Sequence, residues 1–346
     1  MGRGTGHAVT APPFFIVGND RSGTTMLRLM LDLGPDAAIP PESMFLTDVT
    51  IPAPETLDEA AAQAIMEQVW HHPKVRLWEL AGPAPAVPAG LEPQDLRRFV
   101  LSAPFTAYAR EHGKARWGDK TPHYVHHLDQ LLEIWPEARV VVIVRDGRDV
   151  ALSVRRMPFG PNNAWAAAHW WARGIRAGQL AQSRHPGNVT TVRYEDLAQD
   201  PATHLPPLCA FLGVRYEAGM LALERADRGR IVADQVSWFP TLFDGITTRA
   251  VARWRREMPP RDQGVFASLA SAELAQLGYP VPTRPPPPPS PLRARLYDRH
   301  NELMRNVNFV KLRVFQEGGR ELRFAVGRRL SDPLKRPGAA DQGGAR

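Results

Sequence analysis

Cysteine is almost absent from this sequence: Cys209 is the only one among 346 residues. A lone cysteine excludes an intrachain disulfide and a cysteine-based metal site, and it fits a reducing compartment. Long apolar runs are also missing. The run at residues 140–144 is only strand-length, whereas a membrane helix needs about 20 apolar residues. Residues 1–13 lack the apolar segment of a secretory signal. We therefore expect a cytoplasmic protein.

The excess of positive charge lies at one end of the chain. The formal net charge is +7, and residues 290–346 alone carry 13 Lys and Arg against 6 Asp and Glu. The rest of the chain is therefore balanced. Such a balance does not favour a basic face for nucleic acid, so no nucleic-acid partner is expected.

A proline-rich segment divides the chain. Residues 284–291 are mostly proline and predict a stiff linker. It would separate a domain at 13–283, preceded by a flexible N-terminus at 1–12, from a basic and partly helical tail at 292–346. Apolar residues of the tail recur at near-helical spacing, namely Leu292, Leu296, Leu303 and Val307. Two alternatives follow: the tail makes weak contact with an anionic membrane surface, or it packs on the main domain or frays.

Apolar strands alternate with helical segments along the main domain. Strands are predicted at residues 14–17, 139–144 and 189–192. Helices are predicted at residues 24–33, 126–135, 163–184 and 200–212. The first two strands consist almost entirely of apolar residues, which is typical of a parallel sheet buried on both faces. The pattern predicts an α/β fold with three layers, in which helices flank a central parallel sheet.

The turn between the first strand and its helix has the composition of a phosphate-binding loop. Residues 18–25 read GNDRSGTT, and backbone N–H groups and the helix dipole meet at such a junction. Gly23 permits close approach of an anion; Ser22, Thr24 and Thr25 add hydroxyl donors, and Arg21 can bind two oxygens at once. A nucleoside-triphosphate loop has Lys after its last glycine. Here Thr24 occupies that position, which argues against a typical NTPase.

A second cationic turn follows the strand at 139–144. Arg145 comes directly after the strand, and Ser153 lies further on, inside the next predicted helix. The two side chains can converge on one phosphate, although Arg145 taken alone fits a salt bridge at a strand end equally well. Arg148 and Asp149 are interpreted as a surface pair or a structural ion pair.

These two loops, in this order, resemble the donor site of sulfotransferases that use 3′-phosphoadenosine 5′-phosphosulfate (PAPS). Residues 21–25 resemble the 5′-phosphosulfate loop and residues 140–153 the 3′-phosphate motif. The chain is further similar to the tyrosylprotein sulfotransferase branch and its bacterial carbohydrate and small-molecule relatives. That similarity rests on residues 30–32 (MLD), 41–43 (PES), 119–122 (DKTP), 194–197 (YEDL) and 249–254 (RAVARW). It implies a P-loop-like fold.

The resemblance also implies roles for individual residues. It makes Glu42 the catalytic base, Lys120 and Arg21 the catalytic cations, and Tyr194 and Arg253 nucleotide contacts. His123 is the alternative base, because cytosolic sulfotransferases use a histidine close after a Lys-Thr pair. The branch has an arginine where this chain has Met44, and a serine where it has Ala252. The first departure concerns acceptor choice and the second a phosphate contact.

The implied reaction is an in-line transfer of a sulfuryl group from PAPS to an acceptor hydroxyl, by analogy with phosphoryl transfer. No metal is expected. The acceptor is a sugar, a lipid, a small metabolite or a tyrosine. A P-loop kinase or another nucleotide-dependent phosphotransferase is the alternative, although Thr24 in place of lysine counts against it.

Overall fold

A computed structural model describes residues 11–155, 157, 159–226 and 242–315, with side chains to residue 309. Nearly all of the predicted flexible N-terminus lies outside these residues, as does the tail beyond residue 315. Among the described residues, no helix combines the length and apolar character that a membrane span requires.

The sheet has five parallel strands in the order β2-β3-β1-β4-β5. The three predicted strands are present, and β2 and β3 are additional. The strands are β1 Phe14–Gly18, β2 Ala37–Ala38, β3 Arg116–Lys120, β4 Arg139–Val144 and β5 Val189–Arg193. The central strand is β1, which pairs with β3 on one side and β4 on the other. Ligands of such sheets bind at the carboxyl ends of the strands, where the strand order reverses.

Twelve α-helices are present in the described part of the chain. They are α1 Thr24–Asp32, α2 Phe45–Asp48, α3 Glu59–Trp70, α4 Pro93–Glu111, α5 Leu128–Ile134, α6 Gly147–Val154, α7 Ala164–Arg184, α8 Tyr194–Gln199, α9 Pro201–Leu212, α10 Trp254–Glu257, α11 Pro260–Gln276 and α12 Pro291–Phe315. The predicted caps of α7 and α9 are confirmed: the Asn163 side chain accepts from the Ala166 N–H and Asp200 from the Thr203 N–H.

Successive residues of a strand face opposite sides of the sheet, and both sides are covered. Phe15, Val140 and Val142 belong to an apolar core shared with α3, α4, α5, α7 and α11. Phe14 and Ile16 belong to a second core shared with α1 and α9. The predicted three-layer α/β fold is therefore confirmed.

Helix α12 packs one face against the N-terminal end of α7. The Tyr297 ring stacks on Trp165 with a centroid distance of 6.2 Å, and Trp165 Nε1 donates to Asp298 at 3.0 Å. The Asn162 N–H donates to Asn301 at 2.7 Å, and Asn308 donates back to Asn162. The described part of the basic tail is thus a helix docked on the main domain.

Candidate active site

Four loops meet at the carboxyl edge of the sheet. They follow β1, β3, β4 and β5, and they carry most of the side chains to which the sequence assigned roles. Because these four strands are neighbours and parallel, their carboxyl ends lie side by side. The loops therefore form one continuous surface.

At its two glycines, the loop after β1 leaves no space for a side chain. Gly18 has φ +148°, and a Cβ on it would lie 2.3 Å from the Ile143 carbonyl oxygen. Gly23 has φ +99°, and a Cβ there would lie 2.4 Å from the Tyr194 ring. Gly23 is also the N-cap of α1 and supplies no side-chain cap. The N–H groups that open α1 thus face this loop without a capping side chain, as an anion site requires.

Ser22 has the strongest individual sign of an anion ligand. The residue is 1% exposed, and its hydroxyl has no hydrogen-bond partner among the described residues. An unsatisfied buried hydroxyl is costly, so such groups normally mark a site that another molecule completes. The neighbouring Thr24 and Thr25 are also buried. The five loop residues predicted to bind phosphate are therefore placed together and fit an oxyanion.

Arg21 joins this loop to the second predicted phosphate motif. Its Nε donates to Ser153 Oγ at 3.1 Å, and its carbonyl oxygen accepts from Arg145 at 3.0 Å. Burial lowers the pKa of Arg21, and the nearby Arg145 charge lowers it further, whereas Asp20 and Glu42 raise it. The two loops thus form one cationic cluster, and Arg21 interacts with both Arg145 and Glu42.

Arg145 is fixed from three sides. Besides its bond to Arg21, it donates to the Ala250 carbonyl at 2.6 Å, and its guanidinium lies 4.6 Å from the centroid of the Tyr194 ring. The Tyr194 ring is the same one that closes against Gly23. Tyr194 therefore contacts both loops, and its role at a nucleotide site stays a prediction.

The segment before α10 is tied to the same loops. Asp149 accepts from the Trp254 N–H at 2.7 Å, and burial raises the pKa of Asp149 to about 6. Arg253 is held by Glu257 through two bonds of 2.9 and 2.6 Å, which raise the pKa of Arg253, and the nearby Asp149 charge raises it further. Arg253 therefore lies beside the cluster, with its guanidinium engaged by Glu257.

The predicted pairing of Arg148 with Asp149 is wrong. Arg148 forms a bidentate ion pair with Asp146, at 2.9 and 2.7 Å, and its guanidinium stacks over Trp254 at 3.6 Å from the ring centroid. Neither Arg148 nor Asp149 is on the surface. Asp146 caps α6 and turns towards the start of the helix, whereas Asp149 turns towards the segment before α10.

Glu42 and Lys120 form an ion pair next to the anion loop. Lys120 Nζ donates to Glu42 Oε1 at 2.8 Å, and the two side chains are 4% and 19% exposed. Lys120 is the last residue of β3, and Glu42 lies in the turn before α2. The two residues that the resemblance pairs in catalysis are thus in direct contact.

A buried hydrogen-bond network fixes both members of this pair. Ser43 contacts Thr121 Oγ1 at 3.3 Å and Tyr124 OH at 2.9 Å, and the Ser43 N–H also donates to Thr121 at 3.1 Å. Thr121 in turn donates to Asp119 at 3.2 Å. Burial raises the pKa of Asp119 to about 7, although bonds from Ser43 and Thr121 oppose the change. The residues adjacent to Glu42 and Lys120 are thereby locked together.

His123, the alternative base, lies in a cluster of histidines. Its ring centroid is 5.5 Å from those of both His126 and His127. Burial lowers the pKa of His126 to about 3, with help from the neighbouring His123 and Arg173. In the described part of the chain, no group of three or more His, Cys, Asp or Glu side chains is arranged to hold a metal ion.

Sequence reasoning assigned no role to Ser43, Tyr124 or Asp119. Asp119 stands in the segment that carried the resemblance, and a carboxylate beside a lysine at a strand end was the available signal. Ser43 and Tyr124 meet only through the tertiary fold.

The three-layer fold, with a glycine loop between its first strand and first helix, defines a P-loop-like α/β protein. A sequence profile of the Sulfotransferase family matches residues 12–218, which is more than half of the chain. The chain belongs to the Sulfotransferase family and is a sulfotransferase, an enzyme that transfers sulfuryl groups.

Relatives agree with this membership. Protein-tyrosine sulfotransferase 1 of Danio rerio is 26% identical over 304 residues, covering 80% of this chain and 74% of the relative. Nodulation protein NoeE of Sinorhizobium fredii is 23% identical over 297 residues, covering 77% and 65%. The sulfotransferase domain of the curacin biosynthetic pathway superposes with a TM-score of 0.56 at 21% identity, covering 79% and 99%. The sulfotransferase domain of the Synechococcus PCC 7002 olefin synthase gives 0.53 at 24% identity, covering 79% and 96%. Both structural similarities concern the fold.

Proposed function

We propose that this sulfotransferase takes its sulfuryl group from PAPS and transfers it to an acceptor hydroxyl by in-line displacement. The observation that carries the proposal is the position of Arg21. It contacts Ser153 and Arg145 and also interacts electrostatically with Glu42. A nucleotide held by the cationic cluster would thus present its reactive end towards a carboxylate.

The donor has two anionic ends, and the cluster offers two sets of ligands. The 5′-phosphosulfate would occupy the loop of Arg21, Ser22, Gly23, Thr24 and Thr25, where the unpartnered Ser22 hydroxyl and the opening N–H groups of α1 fit its oxygens. The 3′-phosphate would be held by Arg145, Ser153 and Arg253, with Tyr194 between the two ends. Glu257 would have to release part of Arg253 to complete that contact.

The transfer step assigns separate tasks to Glu42 and Lys120. Glu42 accepts the proton of the acceptor hydroxyl, whose oxygen forms the new bond to sulfur. The bond between sulfur and the bridging phosphate oxygen breaks, and its electron pair stays on the leaving 3′-phosphoadenosine 5′-phosphate (PAP). Lys120 and Arg21 stabilise that developing charge. Lys120 is engaged with Glu42 before the donor binds, so it must turn towards the leaving oxygen to stabilise the charge there.

The acceptor class stays broad. The Danio rerio relative is named as a protein-tyrosine sulfotransferase, and tyrosine, sugar, lipid and small-metabolite hydroxyls all suit a carboxylate base. Met44, where the resembled branch has arginine, removes a cation beside the base. We therefore expect acceptors without a strongly acidic surrounding.

The test is product formation with PAPS over a panel of hydroxyl acceptors, followed by mass spectrometry for products heavier by one SO₃ group. Thermal-shift assays with PAP, ATP and ATP–Mg²⁺ accompany it. The proposal expects stabilisation by PAP and a sulfated product. Stabilisation by ATP–Mg²⁺ without any response to PAP would overturn the choice of donor and favour a phosphotransferase.

A further inference from the structure

One face of α12 is apolar and exposed. Leu292 is 69% exposed, Leu296 58%, Leu303 61% and Val307 36%. At about 100° per residue, these four side chains fall within a narrow sector of the helix. The stripe runs for roughly 22 Å along the axis, at about 1.5 Å per residue. Large apolar side chains gathered in a line on a surface mark a contact site rather than random exposure.

This stripe lies on the side of α12 that does not contact the main domain. Tyr297, Asn301 and Asn308 make the contacts to the α7 end, and by helical spacing they fall on the opposite side from the stripe. The docking of α12 thus leaves the stripe outward. In this arrangement the helix is attached by a polar and aromatic face and presents an apolar face to its surroundings.

Positive side chains border the stripe. Arg299 and Arg295 fall on one side of its sector and Arg293 falls on the other; all three are exposed. Asp298, by contrast, turns inward to Trp165. An apolar stripe flanked by arginines is the pattern of helices that lie in the interface of an anionic bilayer, with the apolar side chains among the acyl chains and the cations at the headgroups.

The charges argue against a second copy of this chain as the occupant. An isologous pair of antiparallel α12 helices would be centred between Leu292 and Val307, which is where Arg299 lies. The two Arg299 side chains would then lie side by side along one edge of the interface, and such a juxtaposition of like charges is unfavourable. On an anionic lipid surface the same arginine is attracted.

We propose that α12 is a membrane-surface docking helix that binds anionic phospholipid through the stripe of Leu292, Leu296, Leu303 and Val307. The helix lies parallel to the bilayer, so the main domain is held at the surface through the α7 contact. Binding depends on both the apolar stripe and the bordering arginines. The proposal is independent of the sulfuryl donor.

Co-sedimentation of the full chain with vesicles tests it. Vesicles of phosphatidylcholine containing phosphatidylglycerol should retain the protein at low salt, whereas pure phosphatidylcholine vesicles should retain at least tenfold less, and high salt should release it. The double variant Leu296→Glu/Leu303→Glu should lose at least tenfold in partitioning. The matched control is Leu77→Glu/Leu180→Glu, which changes two exposed leucines elsewhere, 41% and 50% exposed, and should keep most of the binding.

A pair of arginine variants, one that removes the charge and one that keeps it, separates electrostatic attraction to lipid from effects on folding. Arg295→Gln/Arg299→Gln should weaken binding severalfold, and Arg295→Lys/Arg299→Lys should retain it. Equal retention by charged and neutral vesicles, equal loss in the two leucine variants, or no binding by the unaltered chain would each overturn the proposal. Light scattering supplies a further outcome. If the unaltered chain forms a dimer, the Leu296→Glu/Leu303→Glu variant is a monomer and vesicles bind neither protein, the proposal is also overturned.

Discussion

Lys120 and Glu42 form a direct ion pair, with Nζ 2.8 Å from Oε1. The pair connects the end of β3 to the turn before α2, and a buried network through Ser43 and Thr121 fixes that turn on β3. Because Arg21 interacts with Glu42 from the anion loop, the pair stands where the reactive end of a bound donor would lie.

Removing the carboxylate of Glu42 should abolish transfer and spare nucleotide binding. Glu42→Gln is expected to lower kcat by about 10²- to 10⁴-fold, the usual contribution of a general base, with the Kd for PAP changed by less than about threefold. Steady-state kinetics and calorimetric titration with PAP measure the two effects. His123→Gln is the matched control and should stay close to wild type. Reversed behaviour of the two variants would make His123 the base.

A methyl group at Gly23 should damage both the loop and its ligand site. Gly23→Ala places a Cβ 2.4 Å from the Tyr194 ring at a backbone φ of +99°, so both overpacking and backbone strain follow. We expect a loss of about 1–3 kcal/mol in the free energy of unfolding and a large loss of PAP affinity. Gly187→Ala is the control, because no atom lies within 4 Å of its added Cβ. Equal effects at the two glycines would contradict the role of the loop.

Arg145 should discriminate nucleotides by their 3′-phosphate. Arg145→Gln is expected to weaken PAP binding by about tenfold or more, the loss of a charge-assisted contact, and to leave adenosine 5′-phosphosulfate binding nearly unchanged. Arg155→Gln alters an exposed arginine paired with Asp262 and serves as the control. Titrations of both nucleotides against each variant measure the ratio; a uniform loss for both nucleotides would remove Arg145 from the 3′-phosphate site.

Asp119 should make stability fall as pH rises from about 4 to 7. Burial raises its pKa from 3.8 to about 7, so the folded state keeps a proton that the unfolded state has already released in this range. The linkage therefore favours folding most below pH 4, and the stabilisation is lost as pH rises through 7. Asp119→Asn should flatten the dependence of the free energy of unfolding on pH, whereas Asp244→Asn, which changes an exposed residue, should not. Urea unfolding at several pH values tests it; identical slopes in wild type and Asp119→Asn would contradict the assignment.

The parts of the fold that follow from local sequence were predictable. The strands contain uninterrupted apolar runs at 14–17 and 140–144, and the anion loop follows from glycines and hydroxyls at a strand–helix junction. β3 was not predictable in this way, because its sequence RWGDK is polar although every residue is buried. Arg116 there bonds to the Leu212 and Gly213 carbonyls, and Lys120 pairs with Glu42. Those partners are distant in sequence, so no local pattern predicts the contacts.

The ion-pair and hydrogen-bond partners within the site likewise depend on the tertiary fold. Arg148 is adjacent in sequence to Asp149, yet it pairs with Asp146 because the helix start and Trp254 hold it there. The contact between Arg21 and Ser153 joins residues that are 132 positions apart. Sequence spacing indicated that both belonged near phosphate, but not that Arg21 would connect the two loops.

The most direct test of the whole account is a crystal structure of this protein soaked with PAP. We expect the 5′-phosphate within hydrogen-bonding distance of Ser22 Oγ and the first N–H groups of α1, and the 3′-phosphate on Arg145 and Ser153. Glu42 and Lys120 should face the open side of the 5′-phosphate. A nucleotide whose phosphates lie away from these loops, or whose 5′ end points away from Glu42, would contradict the account.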